Sequence, residues 1–434
     1  MKNTILYIIV LFAFIEVKAQ TLVTPAPAQE KAILLVGATA HLGNGTVIQN
    51  AMIGFDNGKL TVVADASTTI DKSKYEVIDV SGKEIYPGFI LPLTDIGLRE
   101  VFSVKATIDD REVGNLNPNV RSIIAYNTDS EITPTIKFNG ILTAQITPHG
   151  NSINGTTSIV QLDAWNWEDA LMVEDDGLYI SWPNRTVRKF DFATFTMKSE
   201  PNKNYQAQLQ TIDELFSQSL TYGNANTQEK NLKLAAMQGL FDGSKQLYIA
   251  VGNEKSIIES VNFAKKKGVK KIVVNGGSST HLVAGFLKEN NIPVLLYNVH
   301  SLPNRADDDI DLPYKSAYIL HEAGVLVGLG AFGSMWTMGS RNLPFFAGTT
   351  AAYGLEKEEA LKLITANTAK IIGIDDKVGT LEVGKNATLF VSDGDALDMR
   401  TNQLTHAFID GRKIQLEATQ QVLFEKYEKK YAGE

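Results

Sequence analysis

The sequence predicts an α/β protein in which parallel strands alternate with helices, joined to a small antiparallel β region. Three observations predict it. Strands beginning at Leu247, Lys271 and Pro293 recur roughly every 23 residues, each followed by a helical segment, the rhythm that parallel strands with helical crossovers require. Residues 32–80 instead show short apolar runs separated by Gly43-Asn44-Gly45 and Asp56-Asn57-Gly58, turns built from residues that tolerate positive φ. After residue 372 the chain returns to β-type sequence. The pattern alone fits a doubly wound sheet or a (β/α)8 barrel, and a barrel places its chemistry at the C-terminal strand ends.

The elements follow in order. Lys2 precedes an apolar run over residues 5–15, and Val17-Lys18-Ala19 ends in a form acceptable for cleavage before Gln20. This predicts a secretory signal peptide over residues 1–19, because the run is too short to span a bilayer comfortably. Residues 20–30 are a Pro/Ala/Gln-rich lead-in. Residues 32–36, 52–55 and 60–64 read as strands of the small β region, and 140–146 as a strand further on. Residues 163–205 hold Trp165, Trp167, Trp182, Phe190, Phe192 and Phe195 without a regular period, which predicts an insertion over one face of the domain. Residues 255–267 form a helix with Ile257, Ile258, Val261 and Ala264 on one face. Lys265-Lys266-Lys267 complements its dipole and Gly268 stops it. Residues 278–289 form a second helix with Ser278 or Ser279 as N-cap, and 313–323 and 358–371 form two more. Strands are expected at 271–274, 293–297 and 325–329, and β-type sequence at 379–391 and 407–412.

The bulk numbers exclude some classes. A net charge of -8 argues against a nucleic-acid partner, which needs a basic face. The chain has no cysteine, which excludes thiolate metal sites, cysteine nucleophiles and a lipidated cysteine anchor. No later stretch approaches the length of a membrane span. The expectation is an exported, periplasmic protein with no membrane segment in its mature form.

Two motifs carry a resemblance. Tyr86-Pro87-Gly88-Phe89-Ile90-Leu91 resembles the entry into the barrel of the amidohydrolase superfamily, and residues 363–373 resemble that family's T-x-N-x-A-K-x-x-G helix. The following Gly379 to Leu389 is similar to its G-x-L-x-x-G-K-x-A-D-L strand pair, with Thr388 in place of the usual Asp. Gly37-Ala38-Thr39, Gly45 and residues 56–60 resemble its opening β half. The subgroup it most resembles is that of imidazolonepropionase-like exported amidohydrolases. The resemblance implies a (β/α)8 barrel over residues 87–372, and a β-sandwich from residues 20–86 and 373–434.

The family's chemistry is hydrolysis assisted by zinc or another divalent metal, which lowers the pKa of bound water and polarises the scissile carbonyl. Its ligands are His-x-His after the first strand and a His after the fifth and sixth, with an Asp after the eighth. In this sequence those slots hold Leu93 and Asp95, Ala250, Gly276 and, at the eighth strand, Ala331 or Phe332. Only six histidines exist: His41, His149, His281, His300, His321 and His406. The reading is therefore no catalytic residue and no cofactor. The loop from Thr147 to Gly155 suggests a polar pocket lined by Asp95, His149, Asn151, Asn275 and His300; the plainer reading is a loop satisfying its own backbone. The expected function is a pseudoenzyme that binds a small amide or peptide-like ligand, or assembles with itself or an active homologue. The alternative is a hydrolase of carbon–nitrogen bonds with an unconventional site.

Overall fold

The computed structural model describes residues 24–432, except 151, 193, 225–229, 298 and 332–335. The leader over residues 1–19 and the slot at Phe332 lie outside the described residues. Asn151 does as well.

Both ends of the chain build one sheet. Strands β1 (Ile33–His41), β2 (Val47–Asp56), β3 (Lys59–Asp65), β4 (Glu76–Asp79) and β5 (Glu84–Pro87) come from the front. Three more come from the back and are numbered last: β16 (Leu389–Ser392), β17 (Leu404–Ile409) and β18 (Arg412–Lys413). The order is β18-β17-β16-β5-β1-β2-β3, with β4 beside β1. Asn57 and Gly58 turn β2 into β3 with φ of 48° and 75°, the left-handed pair that a two-residue hairpin demands. Leu35, Ile53, Phe55, Leu389 and Phe408 close the core between the two chain ends. Phe55 and Phe408 meet edge to face with centroids 4.9 Å apart.

The second sheet is the barrel. It comprises β6 (Phe89–Thr94), β7 (Ile141–Ile146), β8 (Ile153–Gln161), β9 (Leu171–Ser181), β12 (Gln246–Val251), β13 (Ile272–Gly276), β14 (Val294–Tyr297) and β15 (Val327–Gly330). These strands stand in chain order around the sheet. Gly330 of β15 returns beside Pro92 of β6, where an added Cβ would lie 3.4 Å from the proline ring, so the barrel is nearly closed. Seven strands run parallel, and β8 runs against both neighbours. Residues 147–152 between β7 and β8 are too few for a helical crossover, so the chain turns straight back.

The segment 163–205 departs from the expected insertion. Its first half supplies β9, the fourth barrel strand, and only the pair β10 (Thr186–Asp191) and β11 (Thr196–Pro201) stands apart as a two-stranded ribbon. Glu174-Asp175-Asp176 interrupts the apolar pattern of β9 and conceals it. Asp175 has φ 47°, and Arg121 pairs with both Glu174 and Asp175.

The helix Glu254–Lys266 forms as expected, capped by Asn253, whose side chain accepts from the Ser256 N–H. Residues 278–289 differ: a 3-10 turn over Ser278–Val283 leads into the helix Ala284–Glu289, and Gly277 precedes it without a side-chain cap. The expected helix 358–371 is two, Lys357–Lys362 and Ala366–Ile372, broken at Thr365. No strand forms over residues 379–385, and an unexpected helix, Thr419–Ala432, closes the described chain.

One residue separates the two sheets. Pro87 ends β5, Phe89 begins β6, and Gly88 between them donates its N–H to the Thr388 carbonyl at 2.9 Å. Tyr86, Phe89 and Phe390 form an aromatic cluster at this junction. His41 adds a polar clamp: its ring stacks on Tyr86 at 4.5 Å and bonds Glu358 at 2.6 Å and Glu84 at 2.8 Å. Burial opposes protonation of His41, but the two carboxylates outweigh it and hold its pKa above the ordinary value. Gly140 packs from the barrel side with φ 85°, and a Cβ there would lie 2.5 Å from the Phe390 ring. Gly140→Ala therefore combines a disfavoured backbone conformation with overpacking. It is expected to cost about 2–4 kcal/mol, read as a lower urea midpoint at unchanged slope.

Candidate functional site

The first barrel strand ends in an unusual conformation. Leu93 has φ 49°, a region side chains other than glycine seldom enter. The pairing of β6 with β7 is interrupted there, and the Leu93 N–H is 3.3 Å from Gln145 Oε1. The Leu93 side chain packs in one buried cluster with Ile90, Tyr179 and Tyr248. A hydrocarbon thus fills the slot where the resemblance implied an imidazole.

Two residues on, Asp95 is buried and receives the Thr337 hydroxyl on Oδ1 at 2.7 Å. Its Oδ2 lies 3.3 Å from Arg99 Nε and 3.6 Å from His149 Nε2. The same guanidinium reaches Asp110 through Nη2, and Arg111 Nε donates to Asp110 Oδ1 at 3.0 Å. The His149 backbone N–H bonds the Asp110 carbonyl. His149 meets Tyr179 edge to face at 6.5 Å, and the Asn275 amide donates to the Tyr179 hydroxyl at 3.2 Å. Asp95, His149 and Asn275 therefore belong to one chain of contacts at the C-terminal strand ends.

Burial pushes the Asp110 pKa up, but its bonds to Arg111 and Arg99 outweigh this and hold it below the usual carboxylate value. Burial lowers the pKa of His149, and Arg99 and Arg111 add to that against the pull of Asp95 and Asp110. At neutral pH the site holds an Asp110 carboxylate, cationic arginines and a neutral imidazole.

Ligand atoms of Asp95, Asp110 and His149 lie within 4.8 Å of one another. By geometry alone this trio would receive a cation. The position is compromised by Arg99, whose guanidinium already contacts both carboxylates. The remaining family slots offer no ligand atom. Ala250 sits on β12 between Ser181 and Asn275. Gly276 faces Thr280, whose Oγ1 would lie 2.2 Å from an added Cβ. Among the described slot residues, Leu93, Ala250 and Gly276 carry no nitrogen or oxygen ligand atom on their side chains.

His300 does not join the site. Its Nε2 bonds Thr349 Oγ1 at 2.6 Å and its ring packs on Phe346 and Tyr314. It lines a separate cavity of about 530 Å³ with Ser301, Leu302, Tyr314, Thr349 and Tyr353. Tyr314, Phe346 and Thr349 belong to the helices Leu312–Glu322 and Leu343–Ala352, against which His300 packs.

The sequence reading missed Arg99, Asp110 and Arg111, which lie in the irregular stretch between β6 and β7. It also missed a second buried network. Asp176 accepts from Gln145 Nε2 at 2.7 Å, the Thr157 hydroxyl at 2.8 Å and the Tyr248 hydroxyl at 2.8 Å. Desolvation dominates these bonds and raises its pKa to about 6. Gly177 permits the arrangement, since a Cβ there would lie 2.3 Å from the Tyr248 ring. Three consecutive acidic residues inside an apolar stretch were the available signal.

Residues 314–417 match the sequence model of the Amidohydrolase family. None of the curated proteins matches the chain. Among solved structures, an amidohydrolase from Thermotoga maritima is similar at 21% identity and TM-score 0.77, covering 88% of this chain and 99% of its own. A prolidase complexed with N-methylphosphonate-L-proline is similar at 17% identity and TM-score 0.52, covering 89% of this chain and 100% of its own. A zinc-bound adenosine deaminase from Xanthomonas campestris is similar at 12% identity and TM-score 0.54, covering 93% of this chain and 98% of its own. At these identities the likeness is one of fold.

Proposed function

We propose that this chain, a member of the amidohydrolase superfamily, has given up metal-dependent hydrolysis and keeps its barrel as a binding scaffold. The observation that carries the reading is the Arg99 guanidinium between Asp95 and Asp110. A catalytic metal works through an open coordination position that binds and acidifies water. A guanidinium offers donors but no such position. Leu93, Ala250 and Gly276 remove the other ligand atoms.

The mouth retains groups suited to a small amide or peptide-like ligand. The neutral His149 imidazole carries one donor and one acceptor, and the buried Asn275 amide supports the neighbouring Tyr179 hydroxyl. The leader sequence over residues 1–19 supports export, most simply to the periplasm. There the protein would act as a ligand-binding pseudoenzyme, or in a homo- or hetero-oligomer with an active homologue. A second reading, hydrolysis of carbon–nitrogen bonds at an unconventional centre, draws on the mutual approach of Asp95, Asp110 and His149.

Metal analysis of the purified protein, paired with assays on dipeptides and N-acyl amino acids, separates the two. The expected result is sub-stoichiometric metal and no turnover, with or without added zinc or manganese. One equivalent of tightly held metal that is lost in His149→Ala, together with turnover, would overturn the pseudoenzyme reading.

A further inference from the structure

The other end of the barrel carries a feature that the site above does not use. Where β12, β13, β14 and β15 begin, a cleft of about 640 Å³ opens among Gln246, Lys271, Pro293 and Leu326. Asp95 and His149 follow the last residues of β6 and β7, so with these strands parallel the cleft lies at the opposite end from them. Its floor is apolar, from Val269, Ile272, Leu287, Ile292 and Val325, all buried. Its rim holds five lysines: Lys265, Lys270, Lys271, Lys288 and Lys370. Among the described residues no Asp or Glu lines it, in a chain whose net charge is -8.

Helix chemistry explains only part of this. Lys265, Lys288 and Lys370 fall in the last turns of Glu254–Lys266, Ala284–Glu289 and Ala366–Ile372, where cations complement the helix dipole. Lys270 and Lys271 follow Gly268, outside any helix, and have no such role. Among the described residues none of the five forms a salt bridge. Lys265 Nζ bonds the Asn290 side-chain oxygen at 2.6 Å instead. Lys267, facing the other way, shows the usual arrangement, a bond to Asp213 at 2.8 Å. Five uncompensated ammonium groups around one concavity repel one another and focus a positive potential within it.

We propose that this cleft is a binding site for a small polyanion, a molecule with two or more phosphate or carboxylate groups. The lysines would engage the anionic groups as mobile point charges, and the Asn290 and Asn291 side chains would add donors. The apolar floor would take a short carbon skeleton. The proposal is independent of whether the opposite face retains any catalysis.

Isothermal titration with inorganic tripolyphosphate and with citrate at low salt tests it. Saturable binding of either anion at one site per chain is expected, tight enough to weaken at least tenfold between 50 mM and 200 mM salt. The triple variant Lys270→Ala/Lys271→Ala/Lys370→Ala should lose at least tenfold in affinity. The control Lys426→Ala/Lys429→Ala, on the exposed C-terminal helix, should bind as the parent does. The tripolyphosphate and citrate arms distinguish a phosphate-bearing ligand from a polycarboxylate. Absence of saturable binding for both anions, unchanged binding in the triple variant, or equal loss in the control would overturn the proposal. Unchanged circular dichroism in the triple variant guards against a folding defect, and the exposure of all three side chains makes that outcome the expected one.

Discussion

Replacing Arg99 with alanine is expected to destabilise the protein by about 3–5 kcal/mol, the scale of leaving a buried charge without its partner. Arg99 is 5% exposed and contacts Asp95 and Asp110, which are 3% and 0% exposed. Truncation would leave Asp95 with Thr337 and the neutral His149, and Asp110 with the half-exposed Arg111. Arg99→Lys should recover only part of the loss, because one ammonium cannot match the fork of a guanidinium across two carboxylates. The same substitution has a second expected result. With the guanidinium gone, Asp95, Asp110 and His149 would surround a vacated cationic position, so zinc or manganese should raise the melting temperature of Arg99→Ala. A ligand at a hundred times its Kd adds about 2.7 kcal/mol. The parent should show no such rise. A variant as stable as the parent, or a parent stabilised equally by the metal, would remove Arg99 from its assigned place.

The framework was legible because it rests on local signals. The Tyr86-to-Leu91 run ends one sheet and begins the other, and its aromatics anchor that junction. The helix after β12 declared itself by its apolar face and basic end. The barrel's fourth strand was not legible, because Glu174, Asp175 and Asp176 mask its alternation and their partners Arg121 and Tyr248 are remote in sequence. The site was half legible for the same reason. Leu93 and Asp95 announced themselves against the family pattern, and His149 followed a readable strand. Arg99 and Asp110 had no periodic context, and nothing local could show that one guanidinium spans two carboxylates. His300 was misplaced because a strand end does not fix the direction of the loop that follows it.

The buried Asp176 should impose a pH dependence of its own. Its folded-state pKa, about 6, lies above the ordinary value of 3.8. The folded protein therefore binds this proton more tightly than the unfolded chain does. The resulting stabilisation is fully present below pH 3.8 and is lost as the pH rises through 6. A shift of this size corresponds to about 3 kcal/mol. Asp176→Asn removes the titration and should abolish that component. The stability difference between variant and parent is thus expected to move by about 2.4 kcal/mol in the variant's favour from pH 4 to pH 7, whatever its offset. Using the difference matters, because Asp110 and His149 have depressed pKa values and lose stability in the opposite direction, as the pH falls. Those contributions are common to both proteins and cancel. Urea unfolding of the pair across this range provides the test. A difference that stays constant with pH would mean that Gln145, Thr157 and Tyr248, all donating to the carboxylate, fully offset its burial and keep it ionised.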